Sequence, residues 1–216
     1  MKKVKYFLLY VLITHSVFSQ SFDFRNDIYL KDYNYNLSSN EIFQNYPQTV
    51  KIENTTNTLL DPVIALESSE RLKLSFDIIS NEYSTYAYTF IHCSSNWEYS
   101  DLNQIEYLEG FFDNYIQTYS YSFNTLTNYI HYECVFPNEN IKFKKSGNYI
   151  ILIYDTERNI PIITKRFMIY ENILNADMQV QLATLPKNKK TKQQIRLSIT
   201  NHEHLNIKDP INELII

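Results

Sequence analysis

The chain has 216 residues and a formal net charge of −4, with 19 tyrosines, 13 phenylalanines and only two glycines. Residues 21–110 carry 14 acidic and 5 basic side chains, which argues against nucleic-acid binding because phosphates require clustered lysine and arginine. Two glycines also exclude the glycine-rich loops that hold nucleotide phosphates. Aromatic side chains pack well on pleated surfaces, so the composition predicts an all-β protein.

The N-terminal segment has the pattern of a secretory signal peptide. A basic stretch from Lys2 to Lys5 precedes an apolar run from Tyr6 to Ile13, and Ser19 suits the position before a cleavage site. This run is shorter than the ~20 residues that a membrane-spanning helix needs. We therefore expect residues 1–19 to be removed on export, and we expect no direct insertion of the mature chain into a membrane.

Residues 20–49 are predicted to form an extended lead-in, and residues 50–172 a β-sandwich. The first clear strand is 71–77, where apolar and polar side chains alternate. The next, 85–93, has one face of smaller side chains and one aromatic row. We expect the smaller face to pack against a partner sheet, leaving the aromatic row for a covering segment or solvent. The smaller face is Ala87, Thr89, Ile91 and Cys93, and the aromatic row is Tyr86, Tyr88, Phe90 and His92.

A short helix is predicted at 101–109, crossing one end of the sandwich. Asp101 followed by Gln104 resembles a capping box, and Gly110 suits the C′ position that ends a helix. Apolar residues recur at helical spacing through this segment. They are Leu102, Ile105, Leu108 and Phe112.

The clearest hairpin follows the helix. Its first strand opens at Gly147, it turns between Asp155 and Asn159, and it returns over 162–170. A Gly-x-Tyr sequence that places Tyr149 at the start of a late strand is typical of the tyrosine corner of immunoglobulin-like sandwiches. An immunoglobulin-like β-sandwich is therefore expected.

A second β-domain is predicted to start in residues 177–216. Four lysines between 187 and 192 fit a solvated turn between two strands. The chain stops inside the apolar run INELII, so we expect this second domain to be truncated or closed by a partner. The predicted strands of this unit span 178–185 and 193–200. In the sandwich, further strands are predicted at 116–123 and 129–136.

Cys93 and Cys134 are the only cysteines. An even number of cysteines in an exported protein suggests a disulfide, and both residues lie on apolar strand faces. The alternative is two buried free thiols, which behave as small hydrophobic side chains. The residues leave both possibilities open.

A zinc site built from His92, Cys93, His131 and Cys134 is not expected. Residues 92 and 93 point to opposite faces of their strand, as do 131 and 134, so the four side chains could not converge on one ion. The two histidines are better explained by polar contacts. No metal and no cofactor are predicted.

Four carboxylates follow the single tryptophan and raise the possibility of a glycosidase. Such an enzyme needs two carboxylates beside a sugar-stacking aromatic ring, for which Trp97 would serve. However, Asp101 is already explained as a helix cap, and Glu106 and Glu109 fit the solvent face of a short helix. No nucleophile elbow or metalloprotease motif occurs in the sequence. Glu98 is the fourth of these carboxylates. No catalytic residue is predicted.

Binding is the remaining possibility. Trp97 lies in a loop near further aromatic residues, an arrangement expected at an interface hot spot, although Trp97 could instead pack beneath its own loop. A second candidate is a carbohydrate-binding module that uses the aromatic row and Trp97 as stacking platforms. The predicted interface comprises Trp97, Tyr99, Tyr107, Phe111 and Phe112.

Seven segments resemble a known family when taken in order. They look like the first domain of the Bacteroidetes plug protein of the type IX secretion system, from about Pro62 to Glu171, with weaker similarity in QQIRLSI and IKDPINELII. The segments are SSERLKLSFD, YAYTFIHCSSNW, SDLNQIEYLEGF, SFNT, HYECVFPNEN, SGNYIILIYD and TKRFMIYE.

This resemblance implies a periplasmic protein without enzymatic activity, built of β-sandwich domains. Its partner would be the outer-membrane translocon barrel, on whose periplasmic mouth it would dock. There it would close the pore until cargo or a shuttle displaces it. The resemblance also implies a full-length protein about twice as long, so we expect this chain to lack later domains.

Overall fold

The structure of the protein, a computed structural model, describes residues 39–44, 47–201, 207–209 and 213. The predicted signal peptide, most of the predicted lead-in and most of the C-terminal INELII run lie outside these residues. The described part of the chain is mostly β-strand, and it confirms the all-β prediction. No helix within it is long and apolar enough to cross a bilayer.

The strands and helices of the described residues are numbered in chain order. The strands are β1 (Glu41–Ile42), β2 (Pro47–Asn54), β3 (Val63–Ala65), β4 (Leu72–Ile78), β5 (Tyr86–Cys93), β6 (Leu108–Gly110), β7 (Asn114–Tyr115), β8 (Thr118–Tyr121), β9 (Ile130–Phe136), β10 (Ile141–Phe143), β11 (Gly147–Asp155), β12 (Ile160–Tyr170), β13 (Leu174–Leu182) and β14 (Gln193–Asn201). The helices are α1 (Gln104–Tyr107) and a 3-10 helix (Pro186–Asn188).

Two main sheets form the sandwich. Sheet A has the strand order β1-β12-β11-β5-β7, and β3 pairs in parallel with β12. Sheet B has the order β2-β4-β9-β8. The short strands β6 and β10 pair with each other, as do β13 and β14. The chain passes from sheet A to sheet B between β7 and β8, so these two strands lie at the same side of the sandwich.

The core between the sheets is aromatic, and this corrects the predicted orientation of β5. The aromatic row of β5 points into the core, where Phe90 is fully buried. Large rings fill the ~10 Å space between packed sheets better than small side chains can. The smaller face lies on the outside of sheet A instead, where Ile91 and Cys93 pack with Ile150 and Leu152 of β11.

Tyr149 makes the contact expected of a tyrosine corner. Its phenol donates a hydrogen bond of 2.7 Å to the backbone carbonyl of Lys145, four residues earlier. Gly147, two residues before it, has a φ of +139°, and a Cβ at this position would lie 2.6 Å from His92 Nε2. This backbone conformation favours glycine at the start of β11.

The predicted helix is much shorter than expected. It begins after the N-cap residue Asn103, whose backbone N–H donates to the Glu106 carboxylate at 2.7 Å. The cap predicted at Asp101 is therefore wrong by two residues. The helix ends at Tyr107 because the next residues form β6, whose pairing with β10 replaces the predicted last helical turn.

Gly110 lies in β6 and is not the C′ residue of a helix. Its φ is +108°, and a Cβ would lie 1.9 Å from the backbone oxygen of Asn140. The β6–β10 pairing therefore brings two backbones closer than any side chain would allow at this position.

The β13–β14 hairpin follows the sandwich. Its first strand begins at Leu174, four residues before the predicted start, and its second occupies almost the predicted range. The lysine-rich segment forms the connection, with a 3-10 helix from Pro186 to Asn188. Nearly all side chains of β13 are exposed.

We expect Gly110→Ala to destabilise the protein by about 2 kcal/mol or more, because the new methyl group meets backbone that cannot move aside and φ is strained. Gly147→Ala is the matched control and should cost less, since its methyl group meets the tip of the His92 side chain. Urea unfolding followed by the fluorescence of the single tryptophan measures both. Unchanged stability of Gly110→Ala would contradict the close approach.

Candidate interaction surface

Trp97 covers the outside of sheet A. Its indole packs against the Ile91 and Cys93 cluster, and the guanidinium carbon of Arg166 lies 4.4 Å from the ring centroid. The loop is closed by a 2.8 Å hydrogen bond from the Ser94 N–H to the Glu98 carbonyl. A partly buried ring stacked beneath an arginine stabilises the sandwich and leaves little indole surface for a partner.

Burial corrects part of the predicted interface. Tyr107 is only 1% exposed, and its phenol donates to the Phe90 carbonyl at 3.1 Å. Phe112 is partly buried against the core, whereas Tyr99 and Phe111 are exposed. Residues adjacent in sequence are separated here because the helix turns one side of this segment into the core.

Tyr107 is buried because α1 lies against the part of the β5 edge that β7 does not cover. Strand β7 pairs with β5 only at Ala87 and Tyr88, so the carbonyl of Phe90 lies beyond it. Gln104 Nε2 donates to this carbonyl at 3.4 Å and to Thr89 Oγ1 at 3.0 Å, and Tyr107 provides the second donor. Helix α1 thus covers the exposed edge of sheet A.

The four candidate carboxylates occupy separate positions. Glu98 lies in the Trp97 loop, Asp101 precedes α1, and Glu109 lies in β6. Glu106 is engaged in capping α1. All four are exposed, which is the surface environment in which carboxylates serve as solvated or capping groups.

The carbohydrate-binding alternative is overturned by burial. Tyr86, Tyr88 and Phe90 are all less than 5% exposed, so they offer no ring face to a sugar. Trp97 already stacks on Arg166. The aromatic platform on which this alternative depended is therefore part of the core.

The two cysteines are free and lie on opposite sides of sheet A. Cys93 belongs to the outer cluster, and Cys134 belongs to the core between the sheets. Burial raises the pKa of Cys93 to about 11 and that of Cys134 to about 12. The disulfide alternative is corrected accordingly, since the backbone of sheet A separates the two thiols.

The two histidines are engaged in separate contacts. His92 Nε2 donates to the Ser146 carbonyl at 3.2 Å, and its ring packs edge-on to Tyr149. Burial lowers the pKa of His92. His131 Nδ1 lies 2.7 Å from Asp77 Oδ1 on the outer face of sheet B. Within the described ranges, no group of three or more His, Cys, Asp or Glu side chains could hold a metal ion.

A cluster of exposed aromatic and aliphatic side chains lies at the end of the sandwich opposite to α1, where β4 ends and β5 and β9 begin. The β4–β5 loop and the β8–β9 loop form this end, and the amide of Asn128 donates to Asn81 across them at 2.8 Å. We call it the tyrosine end. It consists of Tyr83, Tyr119, Tyr121, Phe123 and Leu126, all exposed.

The rings of the tyrosine end rest on rings of the core. Tyr83 lies 4.6 Å from Tyr119 between centroids, and Tyr119 lies 6.1 Å from the buried Tyr132. Tyr132 in turn packs edge-on against Tyr86 at 5.0 Å. The exposed rings of Tyr83, Tyr119 and Tyr121 are therefore held in place by a continuous aromatic stack that begins in the core.

The β8–β9 side of the tyrosine end is uncharged, whereas the β4–β5 loop carries the exposed Glu82 next to Tyr83. Residues 114–132 contain no Asp, Glu, Lys or Arg. At the other end of the sandwich, a cleft of about 640 Å³ is lined by charges of both signs. Charged residues are depleted and tyrosines enriched at the centres of protein interfaces. This surface was not predicted, although the alternation of Tyr119, Tyr121 and Phe123 in the sequence is a signal for it.

Comparison with known proteins now identifies the family. The family model described as "Type 9 secretion system plug protein 1st domain" matches residues 48–171, more than half of the chain. The chain belongs to this family. The predicted resemblance is therefore confirmed. The matched region covers β3 to β12 and all but the first residue of β2, and it leaves out β1.

One solved structure shows the same fold in a longer protein. A hypothetical protein from Parabacteroides merdae ATCC 43184 is 29% identical, with a TM-score of 0.69 over 76% of this chain. The plug family chain spans 42% of that protein's length. An alkylpurine DNA glycosylase from Pseudomonas fluorescens is 14% identical over 56% of this chain and 30% of its own, and its TM-score of 0.28 carries no argument. No curated protein matches.

We expect the plug domain to lose stability as the pH falls below about 6.5, the ordinary pKa of histidine. Burial lowers the pKa of His92 in the folded state, so the unfolded state binds more protons in this range and stability rises with pH. The urea midpoint of the wild type should fall more between about pH 7.5 and about pH 5.5 than that of His92→Gln. His131→Gln is the control. Equal falls in wild type and His92→Gln would contradict a lowered pKa of the partly buried His92.

We expect both thiols to be protected in the native protein because both are buried with raised pKa values. A thiol reagent at neutral pH should label neither cysteine in the folded chain. After denaturation without a reductant it should label both. Failure to label either cysteine after denaturation would instead indicate a disulfide.

Proposed function

We propose that this chain is a non-enzymatic periplasmic component of the type IX secretion system. It docks on the periplasmic opening of the outer-membrane translocon and plugs it. The observation that carries this proposal is the match of residues 48–171 to the first domain of the plug protein. Export through the signal peptide predicted at residues 1–19 would bring the chain to the side of the membrane on which that opening lies.

The structure supports binding in preference to catalysis. Side chains that could act in chemistry have structural roles: Glu106 caps α1, His92 bonds to the Ser146 carbonyl, and both thiols are buried. Enzymes place such groups together in a cleft, with a nucleophile or base free to reach a substrate. Here they are dispersed over both sheets and the helix.

A rigid sandwich is well suited to closing a pore. Its core joins two sheets through a network of aromatic contacts around Phe90, so the domain blocks passage by its folded volume and does not need to change shape. Plugging must also be reversible, and a docking surface of roughly 1,200–2,000 Å² can be specific without being permanent.

The proposal is tested by affinity capture. Tagged residues 20–216 should recover the translocon barrel from detergent-solubilised outer membranes of the native bacterium, identified by mass spectrometry. An excess of untagged chain should abolish the recovery. Deletion of the gene should also increase uptake of a large polar antibiotic, because an unplugged pore leaks. Folded protein that recovers no barrel would overturn the docking proposal.

A further inference from the structure

We propose that the tyrosine end is the surface through which the chain docks, and that it receives an uncharged polypeptide segment of its partner. That the partner is the translocon rests on the proposed function. The surface itself is inferred from the exposure of Tyr83, Tyr119, Tyr121, Phe123 and Leu126, from the stacking that holds the three tyrosines, and from the absence of charged side chains in residues 114–132.

Exposure is the first argument. Phe123 is 92% exposed at the tip of the β8–β9 loop, and Tyr121 and Tyr119 project from the preceding strand. Apolar side chains scattered singly over a surface need no explanation, but a contiguous group of them marks an interaction site. Here the group lies on two consecutive elements and one facing loop.

Rigidity is the second argument. Hydrogen bonds between Ser122 and Tyr129 close the β8–β9 loop, at 2.9 Å from the Ser122 N–H to the Tyr129 carbonyl and 3.0 Å from the Tyr129 N–H to Ser122 Oγ. The Asn128–Asn81 bond ties this loop to its neighbour. Rings already held by stacking lose little conformational freedom when a partner binds, which strengthens binding.

Neutrality determines the kind of partner. A charged group of a partner buried against β8 and the β8–β9 loop would meet no opposite charge in residues 114–132 and would lose its hydration without compensation. The one charged side chain of the facing β4–β5 loop, Glu82, is exposed to solvent. Amides and hydroxyls are available instead: Asn81, Ser122 and Asn128 line a cleft of about 350 Å³ beside Tyr121. A neutral segment that offers apolar side chains and backbone polar groups fits this chemistry.

Strand β8 provides a place for such a segment. In the described structure it pairs with β9 on one side only, and all four of its residues are exposed. An extended polypeptide can add to a strand edge through main-chain hydrogen bonds, while pockets beside the strand select its side chains. The tyrosine end would provide those pockets.

The other exposed surfaces fit this role less well. The cleft at the opposite end contains Glu67, Glu70, Arg71, Lys142 and Lys144, so a neutral partner would have to displace water from charges of both signs. Trp97 is already covered by Arg166. Neither surface offers exposed rings on an uncharged segment such as residues 114–132.

The test compares recovery of the translocon barrel by tagged variants of the full chain. The double variant Tyr121→Ser/Phe123→Ser should reduce recovery by about tenfold or more, as expected when hot-spot side chains are removed. The matched control is Ile105→Ser/Phe111→Ser, which removes side chains that are 66% and 65% exposed elsewhere on the sandwich. The control should recover the barrel as the wild type does.

Charge substitutions test the neutrality of the partner. Because Phe123 is almost fully exposed, Phe123→Asp and Phe123→Lys should both fold, and circular dichroism checks this. Both should reduce recovery if the partner segment is uncharged. Improved recovery with one sign of charge would show a charged partner and overturn the inference.

The remaining outcomes separate this inference from the proposed function. If the wild type recovers the barrel and Tyr121→Ser/Phe123→Ser does so equally, the docking surface is elsewhere and the inference is wrong, while the proposed function stands. If the wild type itself recovers no barrel, the proposed function is wrong, and the inference that rests on it is wrong as well. If the double variant instead converts a dimer of the chain to a monomer without changing recovery, the tyrosine end binds a second copy and the inference is overturned.

Discussion

The position of Phe90 in the core determines much of the surrounding structure. Its ring lies 4.9 Å from Phe136 of sheet B, 5.0 Å from Phe143 of β10 and 5.7 Å from Phe167 of sheet A. Its carbonyl, beyond the end of β7, accepts hydrogen bonds from α1. One residue therefore joins both sheets, the β6–β10 pair and the helix. The segment between β5 and β6 must fold back over the edge of β5 because that carbonyl requires donors.

Strand positions could be predicted from the sequence because turns and alternation mark them locally, but the faces of β5 could not. Seven of its eight residues are buried, since the outer face is covered by Trp97 and Phe43 and the inner face by sheet B. Alternation distinguishes a buried face from a solvated one and carries no information when both are covered. Side-chain volume determines the orientation of β5, because Phe90 and its aromatic neighbours are large enough to fill the space between the sheets.

The candidate site illustrates the difference between proximity in sequence and in space. Trp97, Tyr107 and Phe111 lie within one short segment. Trp97 nevertheless covers sheet A, Tyr107 lies on the buried face of α1, and Phe111 faces solvent. The tyrosine end combines two loops separated by more than thirty residues of sequence, and only the pairing of β4 and β9 brings them together. The absence of charged side chains from residues 114–132 was readable from the sequence, whereas the meeting of the two loops required the sheet.

The two ends of the sandwich thus differ in the interactions that stabilise them and in the surfaces that they expose. Hydrogen bonds of the tyrosine corner and of α1 hold one end, whose surface carries charges of both signs. Ring stacking through Tyr132 holds the other, and the same stack continues to the surface. In the proposed docking, Tyr132 would therefore serve both the core and the interface. Side chains farther out, such as Phe123, contribute surface without supporting the core, so binding there could be weakened or strengthened while the fold is retained. A removable plug needs this separation, because affinity for the pore must be adjustable independently of folding stability.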